Sequence, residues 1–116
     1  MKFFLVVFSS LISFSLMAGQ LTSGAQVVEL INTNNDTEDF AIFLKNGSGP
    51  CAIATPEGVY KIVFPKTSFA NQSSESYGQA FSISLAAITS GLKVRVHNFD
   101  NNNCDQANFI SIYSAS

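Results

Sequence analysis

The chain has 116 residues, 47% of them hydrophobic and 12% charged, with a formal net charge of -2. That length is one domain, the apolar share suffices for a core, and 6 Lys+Arg against 8 Asp+Glu exclude a basic nucleic-acid footprint. One His, two Cys and no Trp leave little material for metal or acid–base chemistry, so composition points away from most enzymes and towards a small binding or structural module.

Residues 1–18 read as a secretory signal peptide. Met1-Lys2 is a short positive start, and FFLVVFSSLISFSL is an apolar run too short, and too broken by serines, for a membrane anchor. Cleavage after Ala18 is the first choice, although Leu16 is large for the −3 position. Cleavage after Ala25 fits the small-residue rule better but cuts close to the first strand. No Cys follows the apolar run, so no lipid anchor is expected. Residues 19–116 then form a single small domain, secreted or periplasmic, with a net charge of -3. Both cysteines, Cys51 and Cys104, fall in it. An even count in an oxidising compartment predicts one disulfide.

The pattern predicts strands at residues 25–31, 40–44 and 59–64, the last with Tyr60, Ile62 and Phe64 on one face. Asn32 to Thr37 is a turn, and Asn46 to Pro50 another. From Ser74 to Ser90 the period changes to that of a helix, with Tyr77, Phe81, Leu85 and Ile88 on its apolar stripe. Ser73 or Ser74 is the cap and Gly91 the stop. Two strands follow, at 92–99 and 107–113. Leu92, Val94 and Val96 point one way and Lys93, Arg95 and His97 the other. A polar turn, Asp100 to Asp105, joins them. The result is a β-rich fold with one helix, in the order β-β-β-α-β-β. It fits an OB-fold-like small barrel, and an open α+β sandwich equally well.

Four stretches resemble a known family. They are Val27-Val28-Glu29-Leu30, then Lys45-Asn46-Gly47-Ser48-Gly49-Pro50-Cys51-Ala52, then the Ser/Tyr-rich amphipathic helix, and Ser90-Gly91-Leu92-Lys93-Val94-Arg95-Val96-His97. Together they resemble the B subunit of subtilase cytotoxin and, more loosely, the pertussis-like binding subunits of bacterial AB5 toxins. That resemblance implies a bacterial OB-fold subunit, a homopentamer with an exported catalytic subunit, and recognition of host sialylated glycans. In that family a Ser just before the first strand helps hold the sialic acid, and Ser23 is similarly placed. A Tyr near the end of the family's helix has no counterpart, because Ala87-Ile88-Thr89 stands there.

No catalytic constellation is legible. His97 has no Asp or Glu two residues away, and no GxSxG, HExxH or P-loop pattern occurs. The Asn-rich turn lacks the Gly and distal Glu of a calcium loop, and its bland reading is a hydrated turn held by the disulfide. The sequons at Asn35, Asn46 and Asn71 carry no weight in a bacterial chain. For a glycan, the available groups are Ser23, Asn32, Asn34, Asp36, Tyr60, Tyr77, Phe99, Asn101 and Asn103. Tyr77 is expected in the core and Tyr60 in the open. Arg95, the one Arg, offers a planar fork for a carboxylate. The expectation is a non-catalytic binding module without metal or cofactor, in which Ser23 and Arg95 contact an acidic sugar and Tyr60, Asn32 and Asn34 support them. The alternative is a monomeric periplasmic or secreted protein, structural or inhibitory, that binds a protein partner. Neither reading involves nucleic acid or a membrane anchor.

Overall fold

The computed structural model describes residues 19–34, 39–52, 58–69 and 74–114. The signal-peptide stretch, Asp36 and the Ser73 cap lie outside them. Five antiparallel strands form one sheet in the order β3-β2-β1-β4-β5. They are β1 (Gln20–Asn32), β2 (Phe40–Ser48), β3 (Val59–Phe64), β4 (Lys93–His97) and β5 (Phe109–Tyr113). One helix, α1 (Ser74–Ser90), joins β3 to β4 after a short 3-10 turn at Lys66–Phe69.

The central strand begins earlier than its β-branched run does. Gln20 to Gly24 already pairs with β4, and Ser23 pairs with Ser48 of β2. Ser23-Gly24 looks like a break in the sequence because Gly24 holds a positive φ of 76° at a register shift between Ser23 and Ala25. Such an irregularity bends a strand without ending it. The second strand also runs on, through Asn46 and Gly47, both with positive φ. Gly47 and Gly49 lie flat on β1, where a Cβ at Gly49 would stand 2.6 Å from the Leu21 carbonyl oxygen. Only the missing side chain permits that approach.

Alternation decides the core. Leu21, Val27, Ile42, Leu44, Ile62, Phe64, Val94 and Val96 fill the inner face. The helix lies on β1 and β5, but not by its bulkiest residues. Ala80, Ser84 and Ala87 are buried, whereas Phe81 and Leu85 are 41% and 48% exposed. Tyr77 flanks the core, and its hydroxyl donates to the Phe64 carbonyl at 3.0 Å.

No ladder joins β3 to β5 among the described residues, so the sheet is open as paired. One outer strand, β3, nevertheless bonds to the turn that leads into the other, β5. The Val63 N–H donates to the Cys104 carbonyl at 3.1 Å, and the Val63 carbonyl accepts from the Ala107 N–H at 3.0 Å. Beside this seam Cys51 and Cys104 form a disulfide, with Cα atoms 5.9 Å apart. Among the described residues, no helix is long and apolar enough to cross a membrane.

Candidate functional site

Residues directly opposite in an antiparallel pair point to the same side of the sheet. The register therefore reads out the outer face row by row. One row runs Ser48, Ser23, Arg95, Ser111 across β2, β1, β4 and β5. On one side of it lies the row Lys45, Gln26, Lys93, Tyr113. On the other side lies Gln20, His97, Phe109. These three rows hold three cations and no carboxylate, although the chain as a whole is acidic.

Arg95 is the centre of this face. Its Nε donates to the Ser111 hydroxyl at 3.5 Å, and its guanidinium lies over the Tyr113 ring, 5.3 Å from the centroid. The Tyr113 hydroxyl sits above the β1 backbone, 3.8 Å from where a Cβ of Gly24 would be. The phenol thus lies beside the Ser23-Gly24 backbone. A guanidinium held by a ring and a long hydroxyl contact keeps most of its donors available to an anion.

Beyond Arg95 the face turns aromatic. The His97 and Phe99 rings stack at 5.1 Å with an interplanar angle of 16°. Phe109 meets both edge-on, at 5.3 Å from His97 and 5.4 Å from Phe99. Burial first, and the neighbouring Arg95 charge second, lower the His97 pKa below its usual value. His97 Nδ1 is buried and has no hydrogen-bond partner. The neighbours of this ring are aromatic and cationic.

The predicted site residues separate into three groups. Ser23 and Arg95 are brought together as direct cross-strand partners. Tyr60, expected in the open, is instead 7% exposed and belongs to the core. Its hydroxyl donates to the Asn46 carbonyl at 2.7 Å and stands 2.8 Å from Thr22 Oγ1. Since a phenol has one proton, the Thr22 hydroxyl donates in return. Burial raises the Tyr60 pKa, and the Thr22 contact only partly offsets that. This hydroxyl is therefore committed to the fold. Asn32 and Asn34 are exposed, but they lie at the far end of β1, about 30 Å of extended strand from Ser23. A small ligand cannot touch both ends.

The Asn-rich turn satisfies itself. Asn98 Oδ1 accepts from the Asp100 and Asn101 N–H groups, Asn101 Oδ1 from Asn103, and Asn103 Oδ1 from Asp105. No group of three or more His, Cys, Asp or Glu side chains able to hold a metal ion occurs among the described residues.

Residues that the sequence reading missed are Ser48, Ser111, Tyr113 and Phe109. The signal for three of them was present, because Phe109, Ser111 and Tyr113 alternate as Lys93, Arg95 and His97 do. What was lacking was the strand pairing that lays the two sets side by side.

A family profile matches residues 1–114, nearly the whole length. The chain belongs to DUF5992, a family of unknown function. No curated protein and no solved structure matches it. Within this DUF5992 chain, function has to be argued from the face itself.

Proposed function

We propose that this DUF5992 chain is an exported, non-catalytic binding module that takes an acidic saccharide on the outer face of β1, β4 and β5. One observation carries the reading: the register pairs Ser23 with Arg95. A hydroxyl beside an open guanidinium suits a carboxylate-bearing sugar, because the planar fork binds two oxygens at once and the hydroxyl takes a third group. Three of the five cations beyond residue 18, Lys45, Lys93 and Arg95, gather in two adjacent rows of that face, which draws an anion to it.

An OB-type barrel is part of the same proposal. It is supported by the strand order, by a helix placed between the third and fourth strands, and by the Val63 bonds that tie β3 to the turn leading into β5. A shallow single site binds weakly, and several copies in one particle would raise its avidity. The ring of five implied by the toxin resemblance is consistent with that need. Light scattering of the oxidised chain tests it, and a five-subunit mass is the expected result.

Titration with sialyllactose tests the site. Arg95→Gln is expected to weaken binding by about tenfold to a hundredfold, and Ser23→Ala by about threefold to tenfold. Neutral lactose is expected to bind far more weakly than the sialylated sugar. Equal affinity of the wild type and both variants for sialyllactose would refute the site.

A further inference from the structure

Phe99 is 63% exposed, the most open of the large apolar side chains described. Burial therefore does not explain its place. It is the third in a series along one side of β4 and its exit: Arg95, His97, Phe99. Successive same-side backbone positions in a strand lie about 7 Å apart, so the strip from the Arg95 to the Phe99 backbone is about 13 Å long. One end is cationic and the other is aromatic. Between them lies His97, whose ring is stacked on Phe99 and walled by Phe109. Phe99 is held from below and from one side, so its orientation is set before any ligand arrives. Such preorganisation lowers the cost of binding.

We infer that Phe99 is a stacking platform for a second, neutral sugar ring, so that the ligand is a saccharide of at least two units with its acidic unit at Arg95. This rests on the saccharide reading above and extends it. The physical basis is the two-faced character of a pyranose. Its C–H face lies on an aromatic ring, while its hydroxyls stay at the rim. The strip is too long for one ring and has the right order of chemistry for two. Hydroxyls from Ser23 and Ser111 flank its cationic end. The Asn108 side chain is already bonded to the Phe99 N–H and to Asp100, so it steadies the turn and is not a free ligand group. The absence of any carboxylate from the three rows favours the acidic unit at the Arg95 end, while Asp100 beside Phe99 suits a neutral ring there.

The experiment titrates the full oxidised chain, followed by NMR, with sialyllactose, free N-acetylneuraminic acid and the acidic dipeptide Glu-Phe. Wild type is compared with Phe99→Ala and Phe99→Tyr. Sialyllactose is expected to bind the wild type about fivefold to tenfold more tightly than the free acidic sugar. Phe99→Ala is expected to erase that difference while leaving the free sugar's affinity unchanged, and Phe99→Tyr to restore it. An exposed ring can be removed without loss of the fold, and equal melting temperatures of the three proteins check this. If Phe99→Ala leaves the difference intact while Arg95→Gln still weakens both sugars, the platform is refuted and the acidic site stands. If Glu-Phe binds as tightly as sialyllactose and depends on Phe99 in the same way, the ligand is a peptide and the saccharide is refuted. If none of the probes binds the wild type, the platform falls together with the reading it extends.

Discussion

The imidazole of His97 lies against two phenyl rings, and burial first and the neighbouring Arg95 guanidinium second disfavour its charged form. Its folded-state pKa lies below the usual 6.5, so the unfolded chain binds the proton more readily. By linkage, the stability from this group is complete above pH 6.5 and is lost as pH falls through the lowered value. His97 is the only His in the chain. Urea midpoints measured from pH 7.5 down to 5.5 are therefore expected to fall, and those of His97→Gln to fall less steeply. A variant that tracks the wild type throughout that window would refute the assignment. Tyr60 shows the opposite use of a polar ring. With its hydroxyl fixed between Thr22 and Asn46, it joins three strands from inside.

At the scale of elements, the helix shows how spacing can mislead. Tyr77, Phe81, Leu85 and Ile88 recur as a core-facing stripe should. Tyr77 and Ile88 do pack half-buried against the core and Phe81 meets the Phe40 ring edge-on at 5.2 Å, yet the buried helix positions are Ala80, Ser84 and Ala87. Small side chains let α1 lie close on β1 and β5, and the bulky residues then flank the contact. Ser84 is fully buried and bonds back to the Ala80 carbonyl at 2.9 Å. Ser84→Leu is expected to destabilise by about 1–3 kcal/mol through overpacking. Leu85→Ser is expected to cost under about 0.5 kcal/mol, as an exposed substitution. Denaturant unfolding of both variants decides the matter, and the reverse order would show the helix turned to its bulky side. The sequence gives an amphipathic helix with the correct bounds, but rotation about its axis depends on how closely the sheet can be approached.

At the scale of the whole molecule, the turn between β4 and β5 is held to β3 by the Val63 bonds and to the segment after β2 by one covalent link. The Cys51–Cys104 bridge spans 53 residues of sequence, and in the chain-entropy model a loop of that length is worth about 4 kcal/mol. For a domain this small that is a large part of its stability. Replacing both cysteines with Ala is expected to lower the unfolding free energy by about 3–4 kcal/mol, measured by urea denaturation. A change below about 1 kcal/mol would mean that the packed seam closes the loop without help. The long β1 bears on the signal peptide as well. Cleavage after Ala25 would remove Ser23 and four rows of pairing with β2 or β4, at Gln20, Thr22, Ser23 and Ala25, whereas cleavage after Ala18 leaves the strand whole.

Local chemistry determined much of this protein. Alternation at 59–64 and 92–99, the helical period at 74–90 and the stop at Gly91 depend on neighbours in sequence, so they are legible there. The pairing of two cysteines is the expectation their even number raises, and Cys51 and Cys104 are bonded. Arg95 stands out because it is the only Arg. What the tertiary structure alone decided is which residues meet. Ser23 reaches Arg95 only because β1 continues through a bulge at Gly24 and takes β4 as its neighbour. Tyr60 turns inward because the strand face that carries it is the one the sheet folds around, and its hydroxyl finds partners there. Asn32 and Asn34 leave the site because a 13-residue strand carries them to its other end. Each of these is a relation between distant residues, fixed by register and strand order, and a periodicity of two or of 3.6 carries no information about either.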